Sequence, residues 1–374
     1  MESKYKGGVK SNINFDGFDI VGVNQAMAGK TIKESKTIMK KRQNKTNQLP
    51  NKNKLALFKN FYIKRDEIYP VIIASNVSSG KSTLINAIVG DDILPSKNQI
   101  CTDRMVAFLD NDELETFKVH INSETDGYKV YEKVNKQLVK DFNDNKQTAE
   151  MLLEGDIKGI RNNKKSLMLV DTPGANNFKN VKHKNLTLNI LKSISNGLIV
   201  YVFNATTLAT YDDKEVLLSI QKILKTKKNV RLIFVINGMD CIDSQKESPL
   251  ELVYSCNTFI KGMGFENYKV IPVSAYSALL FKKAIYGLEM TENESDMLYR
   301  LFRKFKNDSF SLNKLITGDQ EESLERQVCV GDDVYRYIDL VAALENTGII
   351  SLENAIDELL VSSLNLKAAK IKAK

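Results

Sequence analysis

Histidine is nearly absent from this sequence: His120 and His183 are the two in 374 residues, beside four cysteines, Cys101, Cys241, Cys256 and Cys329. None of them stands at the pairwise spacing of a metal site, so a zinc centre is not expected. Scattered cysteines of this kind read as reduced thiols of a cytoplasmic protein. No window approaches the roughly 18 apolar residues that span a bilayer, so any membrane role is expected to be peripheral. No N-terminal stretch joins a charged start to an apolar run, and no secretion signal is expected. What is present is ordinary for a soluble globular chain: 43% apolar and 27% charged residues, long enough for one large domain or two ordinary ones.

The charge is unevenly placed. Residues 1–60 hold 13 Lys/Arg against 4 Asp/Glu, a net of +9, whereas the whole chain carries +8, which leaves −1 for the other 314 residues. The segment K-T-I-M-K-K-R-Q-N-K-T-N-Q-L-P-N-K-N-K is rich in Lys, Asn and Gln and poor in large apolar side chains. It reads as a solvated basic arm. The alternative is an arm attracted to anionic lipid or nucleic acid.

From about residue 66 short apolar runs alternate with helical stretches. Strands are expected at 69–74, 104–109, 116–121, 166–170, 198–203, 230–236 and 268–273, and helices at 81–90, 186–196, 212–227, 248–262 and 275–285. Continuous apolar runs suit strands covered on both faces, so the pattern predicts a three-layer α/β/α sandwich with a mostly parallel sheet. Residues 127–160 read as a polar helical insertion. Residues 290–345 read as charged and helical, and a last amphipathic helix is expected from near Ser351, after the break at Thr347-Gly348.

Four motifs carry the chemistry, each at the end of an expected strand. In S-N-V-S-S-G-K-S-T (75–83), Gly80 lets backbone amides close around phosphate oxygens, Lys81 supplies a charge for the β- and γ-phosphates, and the Ser82 hydroxyl suits Mg2+. The cradle comprises Ser75, Asn76, Ser78, Ser79, Gly80, Lys81, Ser82 and Thr83. Ser75 replaces the usual first glycine, at a cost of about 1 kcal/mol if its φ is positive. In V-D-T-P-G, Asp171 takes the position that holds Mg2+ through water, and Gly174 offers an amide to a γ-phosphate. In F-V-I-N-G-M-D, the Asp240 carboxylate would accept from guanine N1–H and its exocyclic amine, while Asn237 ties this loop to the phosphate loop. Adenine presents the opposite pattern, so a carboxylate there selects guanine. Gly238 stands where a lysine is usual. In V-S-A-Y, a backbone amide at Ser274-Ala275 is expected to meet guanine O6.

The stretch I-L-P-S-K-N-Q-I-C-T-D-R (93–104) supplies Thr102 as the threonine between the first two motifs, 69 residues before Asp171. That separation is far longer than in small Ras-like and translation-associated GTPases. The S-S-G-K-S-T-L-I-N-A loop, the L-P…C-T signature, D-T-P-G and this long insertion together resemble the dynamin superfamily, especially its bacterial dynamin-like branch, over about residues 65–285. The resemblance implies a G domain at 61–289, preceded by the arm at 1–60 and followed by a helical extension at 290–374.

It further implies GTP and GDP as ligands, Mg2+ held by Ser82, Thr102 and Asp171, and a monovalent cation, K+ or Na+, placed by Ser78. Ser78, Lys81, Thr102 and Gly174 would then be the catalytic set, with Thr102 holding the attacking water, and Ala175 marks the absence of a Ras-type glutamine. A homodimer across the nucleotide face or a dynamin-like partner chain, and peripheral contact with anionic membrane, are expected on the same ground. No specific nucleic acid is expected. Two other readings remain: a nucleotide-gated module with little hydrolysis that recruits a stalk-bearing partner, and a ribosome-associated GTPase suggested by the basic arm.

Overall fold

The run Ile-Tyr-Pro-Val-Ile-Ile-Ala-Ser has no polar alternation, as a strand covered on both faces requires. It forms β1 (Ile68–Ser75), inside a nine-stranded sheet. The structure, a computed structural model, describes residues 68–372 except 77, 96–104, 124–126, 135–137, 140, 143–147, 161–165, 173–180, 244–245, 307–310 and 313–326. The basic arm, Thr102, Gly174 and Ala175 lie outside the described residues.

The other strands are β2 (Met105–Asp110), β3 (Lys118–Ser123), β4 (Gly127–Tyr131), β5 (Thr148–Gly155), β6 (Ser166–Asp171), β7 (Asn196–Asn204), β8 (Asn229–Asn237) and β9 (Lys269–Val273). Their spatial order is β4-β3-β5-β2-β6-β1-β7-β8-β9. Strands β6, β1, β7, β8 and β9 run parallel. Strand β2 runs against β6 and beside β5 in parallel, and β3 opposes both β5 and β4. The parallel half therefore meets a mixed half at β6.

Helices α2 (Val181–Ser193), α3 (Tyr211–Leu224) and α4 (Pro249–Gly262) are the crossovers linking β6, β7, β8 and β9. Right-handed crossovers in one direction place them on one face, where Gln221 Nε2 of α3 donates to Met263 O at the end of α4 (2.7 Å). On the other face α1 (Lys81–Val89) packs against α5 (Ala275–Tyr286), joined by α6 (Glu292–Phe305), α7 (Tyr337–Asn346) and α8 (Ile349–Lys372). The result is the expected three-layer α/β architecture with further C-terminal helices. No helix among the described residues is long and apolar enough to cross a membrane.

Two expectations are corrected. Residues 127–160 are not a helical insertion, because β4 and β5 occupy much of the segment. Thr-Ala-Glu-Met-Leu-Leu-Glu-Gly contains good helix formers, but Met151, Leu152 and Leu153 are buried where β5 pairs with β2 and β3, and that pairing overrides local propensity. Residues 290–345 are not all helical either. A hairpin of β10 (Gln327–Val330) and β11 (Asp333–Arg336) closes through Gly331, whose φ is +58°.

The C-terminal helices are fastened to the sheet layers by buried polar contacts. Lys282 on α5 pairs with Glu353 on α8, both almost fully buried. Burial pushes the Glu353 carboxyl up, opposed by the Lys282 charge. Lys283 Nζ holds both Glu294 oxygens of α6 at 2.8 Å. Gly348, between α7 and α8, has φ +76° and lies so close to Pro272 O of β9 that a Cβ would collide with that carbonyl.

Gly348→Ala is therefore expected to destabilise the fold by about 2–4 kcal/mol, read from denaturant unfolding. A second expectation concerns pH. Glu150 on β5 is pushed up to about 7 by burial, and its Oε2 has no hydrogen-bond partner among the described residues. Stability from burying the neutral acid is complete below the ordinary carboxyl range and is lost as pH rises through about 7. Glu150→Gln should match the wild type near pH ~5 and exceed it by about 1 kcal/mol near pH ~8, after allowance for solvent screening. Thermal unfolding across that range checks it.

Candidate functional site

The parallel strands end in register on polar residues. Ile73 of β1 stands opposite Asp171, and Asn204 at the end of β7 stands opposite Asn237 at the end of β8. The carboxyl ends of an open parallel sheet, next to the strand where chain direction reverses, form the ligand crevice of such folds. The loop from Ser75 to Gly80 leaves β1 at that point and turns into α1.

That turn needs two left-handed residues. Gly80, the N-cap of α1, has φ 75° and ψ 30° and makes no side-chain cap bond. A Cβ there would strike Asn237 Nδ2. Ser78 has φ 55° and lies exposed at the crest of the loop. A non-glycine residue held in this region is strained, and such strain concentrates at ligand loops. Ser75, by contrast, ends β1 in ordinary extended backbone and is absent from the positive-φ residues, so the cost attached to it does not arise. Its buried Oγ has no partner among the described residues.

Three asparagines hold the loop. Asn237 Nδ2 donates to Ser79 O (2.9 Å) and Gly80 O (3.3 Å), while its Oδ1 accepts from Ala275 N (3.0 Å). Asn204 Nδ2 donates to Ser78 O (2.8 Å). Asn76 Nδ2 donates to Thr210 Oγ1 (3.2 Å), and Ser79 Oγ bonds back to Asn76 O (3.0 Å). Thr210 caps α3 reciprocally with Asp213, and the buried Tyr201 hydroxyl donates to Asp213 Oδ1 (2.7 Å). Burial, reinforced by the Asp213 charge, raises Tyr201 well above its ordinary range and keeps it a donor.

One end of the site combines Lys81, Ser82 and Asp171. The Lys81 ammonium is buried against Asp171 Oδ1, across the pairing of β1 with β6. Asp171 is fully buried, and its Oδ2 has no hydrogen-bond partner among the described residues. A buried carboxylate oxygen left without a hydrogen-bond partner among the described residues fits a hydrated divalent cation. Ser82 and Thr83 are half-buried in that first turn. The next residue of the D-T-P-G motif, Thr172, donates from Oγ1 to Ile73 O (2.7 Å) and pins the strand tip.

The opposite end is built around Asp240, in the turn Met239–Cys241 that follows Gly238. Asp240 is half-buried, its Oδ1 accepting from Ser274 Oγ (2.6 Å) and its Oδ2 from the Cys241 thiol (3.5 Å). Burial, then the Asp240 charge, pushes the Cys241 thiol up, so it remains a donor. Gly238 has φ 83°, a conformation that a lysine there would adopt only with strain.

The amides of Ser274 and Ala275 have partners within the protein. Ala275 N donates to Asn237 Oδ1 (3.0 Å) and Ser274 N to Thr347 O (2.9 Å). The cause is the β8–β9 register, which sets Val273 opposite Asn237 and drops residue 275 onto that side chain. What the pair contributes is the Ser274 hydroxyl on Asp240.

Sequence reasoning missed Asn204, Asn86 and Lys304. Asn204 ends an apolar strand as Asp171 and Asn237 do, and that parallel was available to find it. Asn86, fully buried on α1, binds Leu94 N (2.9 Å) and Leu94 O (2.8 Å) and so fixes the exit toward Thr102. Lys304, 64 residues beyond Asp240, donates to its carbonyl, and no local pattern announces it.

Comparison with known proteins follows the same lines. Residues 71–239 match the profile described as the Dynamin family. Two structures of an oligomerised bacterial dynamin pair, described as long-range sensing and tethering of membranes, are similar to this chain at 15% and 14% identity. They cover 93% and 84% of this chain and 50% and 45% of their own, with TM-scores of 0.44 and 0.43. An Era variant of Aquifex aeolicus bound to GDP and AlF4− is similar at 15% identity, over 61% of this chain and 70% of that one, with a TM-score of 0.33. No curated protein matches. The chain spans about half the length of the first dynamin-pair structure. Through residues 71–239, this chain is similar to the dynamin family.

Proposed function

We propose that this protein binds GTP and GDP with Mg2+ and hydrolyses GTP to GDP and phosphate. The observation that carries the reading is one crevice, at the ends of β1, β6 and β8, with a lysine and a buried carboxylate at one end and a carboxylate on a turn at the other. Asn237 bridges the two ends.

In this reading Gly80 and the first turn of α1 direct backbone amides at the phosphates, and Lys81 balances their charge. Ser82 and Asp171, with Thr102, would hold Mg2+, which would supply positive charge to offset that of the phosphates. Thr102 and Gly174 place the attacking water and the γ-phosphate, and Ser78 places a monovalent cation near the loop crest. Asp240, oriented by Ser274, accepts from guanine N1–H and the exocyclic amine. Asn76, Ser79 and Asn204 shape the loop that receives the phosphates. Catalysis is then positioning and charge stabilisation of an in-line transfer to water.

Similarity to the dynamin family over residues 71–239 supports the rest of the proposal: dimerisation across the nucleotide face, with a second copy or a dynamin-like partner chain, and action at an anionic membrane surface. An arm of net charge +9 over residues 1–60 suits such a surface.

Calorimetric titration with GTP, GDP and ATP tests the base and phosphate assignments together. The wild type should favour GTP and GDP over ATP by at least about tenfold, worth ~1.4 kcal/mol. Lys81→Ala should lose triphosphate binding by about a hundredfold while keeping its fold by circular dichroism. Equal affinity for ATP and GTP would remove Asp240 from its role. For hydrolysis, phosphate release per molecule should rise with protein concentration or on anionic liposomes, and a flat rate would argue against assembly-stimulated turnover.

A further inference from the structure

The turn that carries Asp240 is weakly constrained by its own sequence. Gly238 opens it with the widest backbone freedom of any residue, at φ 83°, and contributes no side chain. A carboxylate meant to accept from two donors of one planar base has to be held within about 0.5 Å. The constraint comes from elsewhere in the chain.

Lys304 supplies it. Its Nζ donates to Asp240 O (2.8 Å) and Ile242 O (2.9 Å), the carbonyls on either side of Cys241. Lys304 lies in the last turn of α6, where the helix dipole favours a cation. The other end of α6 is fixed by the reciprocal cap between Thr291 and Glu294, and Glu294 is in turn held by Lys283 of α5. Burial lowers the Lys304 ammonium from its ordinary range, with the Asp240 carboxylate as the leading opposing influence. The group has exchanged water for two carbonyls and a nearby negative charge.

A second contact acts on the neighbouring loop. Ser274 N donates to Thr347 O at the α7–α8 junction, and the Ser274 hydroxyl donates to Asp240 Oδ1. The Asp240 backbone is thus held directly by Lys304 and its side chain by Ser274, whose amide is held by Thr347, all three outside the span that matches the family profile.

We propose that Lys304 is a positioning residue for base recognition, fixing the Asp240 turn from α6 and replacing the constraint that Gly238 cannot give. The inference rests on Asp240 reading guanine, as argued above. Base affinity and the docking of α6 are then one coupled equilibrium, and the coupling is reciprocal.

Calorimetric titration with GDP, IDP and ADP tests it on the wild type, Lys304→Met and Lys304→Arg. IDP lacks the exocyclic amine and forgoes one bond to Asp240. Lys304→Met keeps the aliphatic stem and removes the donors, so GDP should weaken by about tenfold and IDP by less, narrowing the GDP:IDP ratio. Lys304→Arg, which can still reach both carbonyls, should restore the ratio. A wild-type GDP:IDP ratio in Lys304→Met overturns the proposal, and so does an equal loss for GDP, IDP and ADP, the mark of a lysine that only stabilises the fold. A wild type that binds ADP as tightly as GDP refutes the guanine reading itself and this proposal with it.

Discussion

Asn237 is the side chain on which the arrangement turns. Its amide spends both ends: the nitrogen on the carbonyls of Ser79 and Gly80, the oxygen on the amide of Ala275. Three loops, after β1, β8 and β9, are thereby locked to one buried group. A buried amide is costly unless every polar end is satisfied, and here satisfaction requires all three loops at once. Gly80 follows from the same fact, since a Cβ at that position would occupy the space of the Asn237 nitrogen.

Around this lock the polar groups divide by end. At the Lys81 end, charge is concentrated and buried, with Lys81 against Asp171 and one carboxylate oxygen left over. At the other end, the carboxylate of Asp240 is half-exposed and surrounded by small donors, the Ser274 hydroxyl and the Cys241 thiol. A carboxylate has about four acceptor positions, so these donors orient it and leave capacity for a ligand. The C-terminal helices take part in the same construction through Lys304, Thr347 and the Lys282–Glu353 pair. They buttress the crevice rather than merely follow it in sequence.

Much of this was legible beforehand because it is local. Apolar runs without alternation announced the parallel strands, and Gly-Lys-Ser, Asp171 and the Asn237–Asp240 spacing announced what stands at their ends. The failures share one cause. Thr148–Gly155 has the composition of a helix and becomes a strand because β2 and β3 bury it from both sides. Gln327–Arg336 is a hairpin of two four-residue strands, too short to show a period. The partners of the Ser274 and Ala275 amides, at positions 347 and 237, are likewise set by tertiary packing.

By itself, the sequence determined the class of the sheet, the order of the motifs along it and the chemistry each could offer, since those depend on residue type and near-neighbour spacing. Only the tertiary structure decided which polar groups are already engaged, that Ser75 sits unstrained in a strand, and that Asp240 is held by a lysine 64 residues away. Hydrogen bonds between distant segments depend on register and packing, and a linear pattern holds no record of either.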